Sequence, residues 1–255
     1  MSGQITPLWL GRVSYEKALA LQESMVREKI GGSATDRLLL LEHEPVYTMG
    51  RTRDESSLRE EITLPYPVHR TNRGGQATYH GPGQLVGYPI LDLELFDRDL
   101  HAYLRFLEET LILLLAHHDI PGERLEGKTG VWVRGRKIAS LGVGVRRWVS
   151  MHGFAINICG DLAPFSCITP CGLPGVSMTS LEAEGARDVS VESCAREVGE
   201  IFNELLQQDY PAEAQRRGEK EGLSREEMSS VEGQKRKKQR GTEVGLRQKV
   251  GTGEN

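Results

Sequence analysis

The sequence has no apolar run long enough to cross a bilayer. Its most apolar stretch, Leu111 to Ala116, falls far short of the ~20 residues that a spanning helix needs. The opening MSGQITPLWL lacks a basic segment followed by a long apolar one, so no secretory leader is expected. These absences predict a cytoplasmic protein without a membrane partner. Cysteine is scarce: Cys159, Cys167, Cys171 and Cys194 are the four, and no two stand as Cys-x-x-Cys. A reducing compartment disfavours disulfides, and this spacing argues against a zinc site, so no metal is expected. With a net charge of −4, the whole chain has no electrostatic attraction to nucleic acid. Apolar residues make up 38%, and glycine, which the usual ~45–50% also counts, adds a further 29 residues; much of the polarity sits in one place. From Ala212 to Asn255, Glu, Lys, Arg, Gln, Gly and Ser dominate. Such a segment cannot bury enough surface to offset its ordering entropy. The sequence is therefore expected to divide into a folded domain, 1–211, and a charged, disordered tail, 212–255. The run Lys235-Arg236-Lys237-Lys238 reads as a solvated cluster within that tail.

Several elements are visible in what remains. Ser14 is placed to cap a helix with Ala18, Leu21 and Met25 at helical spacing, stopped by Gly31-Gly32. Arg37 to Glu42 and Val46 to Met49 read as two strands, or as one strand broken by Pro45, and Tyr66 to Thr71 as another. Val86 to Leu93 is a buried strand. Asp99 caps the clearest helix, with a stripe of Tyr103, Leu104, Leu107, Leu111, Leu114 and Leu115; His117 and His118 fall in its last turn and Pro121 ends it. Val131 to Val133 turns through Arg134-Gly135-Arg136 into a strand opened by Lys137. Trp148 to Ile158 is a strand that His152-Gly153 is expected to interrupt. Ser190 starts a last helix whose stripe includes Val191, Cys194, Val198 and Phe202, which makes Cys194 a packing residue. The elements do not alternate as regular βαβ units. They predict an α+β fold, a mixed sheet with helices packed on it.

Three places can carry chemistry. Arg73-Gly-Gly-Gln-Ala-Thr-Tyr-His-Gly-Pro-Gly-Gln84 packs hydrogen-bonding side chains among glycines, more than a plain pair of turns requires. It matches neither phosphate-loop template, because no Gly-Lys-Ser/Thr follows and the next element is a strand. Cys171 stands between Pro170 and Gly172, at a shaped turn where a thiol is accessible. Cys159, which extends a strand, and Cys167, in Phe-Ser-Cys-Ile, read as packed. Lys137 admits two readings: an ammonium in water at a strand end, or a partly buried cation that stabilises a thiolate and moves a proton. His80 and His152 compete with it as the base.

Four motifs in order, Arg73-Gly-Gly-Gln-Ala-Thr-Tyr-His-Gly-Pro-Gly-Gln, Gly135-Arg-Lys-Ile-Ala-Ser-Leu-Gly-Val, Met151-His-Gly-Phe-Ala-Ile-Asn and Thr169-Pro-Cys-Gly-Leu, resemble the lipoyl(octanoyl) transferase family, from about the first helix to the last. The resemblance implies a fold similar to the catalytic domain of biotin and lipoate protein ligases, with residues 1–211 as an octanoyltransferase domain. It implies that Cys171 is the acyl-thioester nucleophile and Lys137 the lysine that lowers its pKa. By the same resemblance, Arg73, Gly74, Gly75, Gln76, Ala77, Thr78, Tyr79 and His80, then Ser140, Leu141 and Gly142, then Gly153, Phe154 and Ala155 bind the acyl substrate. Met151 and Phe154 depart from the family's more frequent aromatic and Leu, and both keep the pocket apolar.

The implied reaction moves an octanoyl or lipoyl group from an acyl carrier protein thioester to a lysine of a lipoyl domain. Acceptors would be the lipoyl domains of 2-oxoacid dehydrogenases and the H-type protein of glycine cleavage. No cofactor is expected, since a thioester is already activated, and the chain is expected to act as a monomer. The rival readings are an ATP-dependent lipoate or biotin ligase on the same scaffold, a non-catalytic acyl-carrier-binding protein, and a thioesterase.

Overall fold

In the computed structural model of the chain, the described residues are 5–52, 63–169 and 175–209. Residues Met1–Tyr210 group as one unit, apart from Pro211–Asn255; the segment read as a charged tail, and Cys171 with the turn expected around it, lie outside the described residues. Ten strands and three long helices are described. They run β1 (Thr6–Val13), α1 (Tyr15–Ile30), β2 (Arg37–His43), β3 (Val46–Met49), β4 (Val68–Arg70), β5 (Thr78–His80) and β6 (Gln84–Ile90). Then follow α2 (Leu100–His117), β7 (Glu123–Leu125), β8 (Lys128–Val133), β9 (Arg136–Arg146), β10 (Val149–Asn157) and α3 (Val191–Asp209).

A seven-stranded sheet has the order β1-β2-β6-β10-β9-β8-β7. Only β1 and β2 pair in parallel, across α1, and the other neighbours are antiparallel. The sheet is mixed, as an α+β fold requires, but it holds one βαβ unit that the sequence pattern had not suggested. A second, three-stranded sheet has the order β4-β3-β5. The proline at position 45 therefore sends β2 and β3 into different sheets instead of breaking one strand.

Strand period decides which layer each residue joins. On β2, Leu38 and Leu40 face the larger core with α2 and α3, while Leu39 and Leu41 pack with Ala18 of α1, Val86 and Tyr88. The sheet is thus covered by α2 and α3 on one face and α1 on the other. Asp99 caps α2 by accepting from the amides of His101 (2.7 Å) and Ala102 (3.3 Å). Ser14 occupies the corresponding position of α1, yet its side chain makes no capping bond. Strand β10 is not interrupted: its pairing with β9 runs without a register shift from Val149 to Ile156. His152 instead takes a left-handed conformation, φ +55°, within the paired strand. The distortion is held by α1, where the fully buried Gln22 accepts the His152 amide at 2.8 Å.

Candidate active site

The three segments that the family resemblance implies for substrate binding each contribute residues to one pocket. Arg73, Gly75, Thr78 and His80 come from the Gly-rich loop and β5, Ser140, Leu141 and Gly142 from β9, and Gly153, Phe154 and Ala155 from β10; Tyr15, Tyr88 and His152 complete the wall. The pocket encloses about 450 Å³ of space, its open mouth included. The register explains the convergence, because Gly142 pairs with Gly153 and Leu141 with Phe154 across β9 and β10. Gly142 also lets the loop lie against the sheet. A Cβ there would stand 3.0 Å from the Gly74 carbonyl and 3.1 Å from Arg73 Cδ, tighter than ordinary contact.

Four of the residues read as substrate-binding stand elsewhere. Gly74 lines an adjoining pocket with Leu104, Lys128, Thr129 and Val143. Ala77 and Tyr79 pack beneath the loop in a cluster with Tyr47, Phe165 and Ile168. Gln76 gives its backbone carbonyl to Arg73 Nη2 at 2.8 Å. Arg73 itself is buried and much of its donor capacity goes to the loop: Nη1 donates to the Gly74 carbonyl at 2.9 Å, and Nη2 to the Thr48 carbonyl at 2.7 Å and its Oγ1 at 2.9 Å. A fork of fixed donors suits this work, so Arg73 shapes the loop while one side of it faces the pocket.

The histidines of the pocket are neutral at pH 7. Burial holds His152 down at about 4, aided by the charges of Arg73 and Arg51. Burial also holds His80 well below its ordinary value, with His43 adding to the effect. His80 Nδ1 lies 2.7 Å from Gln84 Oε1 and its Nε2 lies 3.2 Å from Thr48 Oγ1. His152 Nε2 lies 2.6 Å from Asn72 Oδ1. Behind the wall, buried His43 bonds Tyr88 OH at 2.8 Å and the Val13 carbonyl at 2.9 Å. Tyr15, Tyr88, His43 and Gln22 were not legible as site residues. Tyr88 sits in an unbroken apolar strand pattern, and Tyr15 only opens a helix.

Lys137 is fully buried, which decides against an ammonium in water. It lies two positions before the β9 segment that begins with Ala139 and lines the pocket from Ser140. Its Nζ donates to the Thr129 carbonyl at 3.1 Å and lies 5.4 Å from the centre of the Trp132 ring. Its backbone also pairs with the described chain that resumes after Cys171. The Lys137 amide donates to the Ser177 carbonyl and the Thr179 amide to the Lys137 carbonyl, both at 2.9 Å. The described chain resumes at Gly175, two residues before that pairing.

The other cysteines have packing roles. Cys194 is fully buried in the main core, and burial pushes its thiol up to about 12. Burial also raises the half-buried Cys159. Cys167 packs against the Tyr47 cluster. Among the described residues one trio, His118, Cys194 and Glu197, brings possible metal-ligating atoms within 4.8 Å of one another. It lies where α2 meets α3 and lines neither pocket. Burial keeps the thiol neutral, and the trio is a contact of His118 Nε2 with Glu197 at 3.1 Å beside a core cysteine.

Comparison with known proteins agrees with this geometry. Residues 14–203 match the family model of the lipoyl protein ligase A/B catalytic domain. An octanoyltransferase of Geobacter sulfurreducens is 51% identical over 76% of this chain and 81% of its own length. One from Syntrophotalea carbinolica is 50% identical over 79% and 94%. The chain belongs to this family, among its octanoyltransferases. Solved structures of lower identity show that the fold is shared more widely. A lipoate-protein ligase A bound with ATP superposes with a TM-score of 0.65 at 18% identity, over 85% of this chain and 95% of that one. The biotin protein ligase of Aquifex aeolicus gives 0.51 at 15% identity, over 80% and 72%. The family match runs from the N-terminal cap of α1 into α3 and so contains every residue of the pocket wall. No described helix is long and apolar enough to cross a membrane.

Proposed function

We propose that this chain transfers an octanoyl group from an acyl carrier protein thioester to a lysine of a lipoyl domain, through a thioester on Cys171. The observation that carries the reading is the place of Lys137. It is a buried lysine at the end of the strand that lines the apolar pocket, and it is backbone-paired with Ser177 and Thr179, in the described chain that resumes after Cys171. The octanoyltransferase relatives support the acyl group. Burying about six methylenes against Leu141, Phe154 and Ala155 would supply roughly 5 kcal/mol before the costs of ordering.

The steps follow from the groups present. The Cys171 thiolate, which the Lys137 ammonium would favour, attacks the carbonyl carbon of the donor thioester. The carrier's C–S bond breaks, and its sulfur leaves with a proton that Lys137 can supply. The neutral acceptor amine then attacks the enzyme thioester; its C–S bond breaks as the amide forms, Lys137 takes up the proton that the nitrogen loses, and the Cys171 sulfur departs as the thiolate it was. His80 and His152 are neutral and already hydrogen-bonded, so they fit positioning within the wall better than bulk proton storage. Backbone amides of the Gly-rich loop are candidate donors to the oxyanion.

The test is transfer without nucleotide. The chain is incubated with octanoyl carrier protein and a lipoyl domain, with no ATP and with a chelator, and every protein is weighed. A gain of one octanoyl mass on the lipoyl domain is expected. Transfer that requires magnesium and ATP with free octanoate would support the ligase reading instead.

A further inference from the structure

A buried charge network that lines neither pocket ends at the lysine on which the proposed chemistry depends. Glu108 of α2 is almost completely buried. Its Oε2 accepts from Arg105 Nη1 at 2.6 Å and from Arg124 Nε at 3.1 Å. Its Oε1 accepts the backbone amide of Gly130 at 3.0 Å. Arg124, in β7, also reaches back to α2, donating to the Arg105 carbonyl at 3.0 Å and to Glu109 at 2.6 Å. One carboxylate thus joins the helix, the edge hairpin and β8.

The far side of Gly130 faces Lys137. Gly130 has φ +130°, a conformation that residues with a Cβ rarely adopt. A Cβ there would stand 2.7 Å from Lys137 Cε, 3.2 Å from its Nζ and 2.7 Å from the Ala139 carbonyl. The preceding residue, Thr129, gives the carbonyl that accepts from Nζ. A carboxylate withdrawn from water is costly even when paired, and apolar residues would pack this helix more cheaply. Its geometry has one specific product: the peptide linking Thr129 to Gly130 is fixed at both ends, with the amide on Glu108 and the carbonyl on Lys137.

We propose that Glu108 is a positioning residue for Lys137, acting through the Thr129–Gly130 peptide to hold the ammonium in place. The assignment rests on the reading of Lys137 as the partner of the nucleophile. Glu108→Ala frees that peptide to rotate, and Nζ loses its fixed acceptor. Glu108→Gln keeps an oxygen for the Gly130 amide.

The test is a double-mutant cycle on the full chain, with the single-turnover rate of octanoyl loading from carrier protein, followed by mass, as the readout. Glu108→Ala is expected to slow loading about 10²-fold, the order that a misplacement of about 1 Å costs. It should shift the pH–rate limb in the same direction as Lys137→Ala. In a Lys137→Ala background the same change should cost little, because neighbours acting through one group are not additive. Glu108→Gln should recover most of the rate, and it carries the test if the alanine variant does not fold. An equal cost of the Glu108 change in both backgrounds, or none in the wild-type background, overturns the assignment. Unchanged loading and pH profile in Lys137→Ala alone overturn the underlying reading of Lys137, and the assignment with it.

Discussion

A lysine side chain is expensive to bury, and Lys137 is buried completely. The Thr129 carbonyl and the face of Trp132 replace part of the water it gives up. On the proposed reading this lysine favours the Cys171 thiolate. Lys137→Ala is therefore expected to move alkylation of the Cys171 thiol to higher pH and to slow transfer by roughly 10²–10⁴, the range of acid–base groups. Lys137→Arg should restore little, since a permanently charged planar group cannot return a proton to the leaving thiolate. An unchanged alkylation profile in Lys137→Ala would pass the role to another group. At this scale the sequence was informative where chemistry demands unusual local patterns. Polar side chains packed among glycines marked Arg73 to Gln84, part of which lines the pocket. It was silent on Tyr88, Gln22 and Glu108, whose roles depend on partners distant in the chain. It left Lys137 undecided, because a lysine at a strand end ordinarily reaches water.

Elements with a strong period were the most legible. The stripes of α2 and α3 and the hairpin through Arg134-Gly135 stand where the pattern put them. The N-cap of α2 followed from Asp99. Asp99→Ala should lower stability by about 1 kcal/mol, typical of a lost cap, and leave transfer unchanged; a denaturant titration beside an activity assay separates the two effects. Strand β1 was missed, because Leu8-Trp9-Leu10 is a continuous apolar run with no period of two and is followed by Gly11. Strand β10 was expected to break at His152-Gly153. It survives because Gln22 and Asn72, one from α1 and one from the loop, hold the distorted residue from outside the strand. Sheet order is a long-range property, so the parallel pairing of β1 with β2 had no local signal.

The whole molecule carries buried neutral histidines on the α1 side of the sheet, and this sets its response to acid. Burial holds both His43 and His152 at about 4, against about 6.5 in the unfolded chain. Between those values the unfolded chain takes up protons that the folded one refuses. Stability is therefore complete above about pH 6.5 and falls as pH drops toward 4, by roughly 3 kcal/mol for each such group. Urea midpoints measured across this window should decline, and less steeply for His43→Gln; a flat profile would contradict the burial argument. The pocket wall and the family match all end by residue 203, so a chain truncated after Tyr210 should keep its solubility and transfer rate. A large loss of either would give residues 211–255 a part in the work. The central claim is that the acyl group rests on Cys171 between donor and acceptor. A thiol exchanges readily with a thioester, and the enzyme thioester still yields to an amine, so the two protein partners can dock in turn. The most direct measurement is the mass of the chain after incubation with octanoyl carrier protein and no acceptor. One octanoyl mass is predicted on the peptide that contains Cys171, removable by hydroxylamine and absent in Cys171→Ala, while Cys194→Ala loads normally. A Cys171→Ala chain that transfers at the full rate would contradict the account.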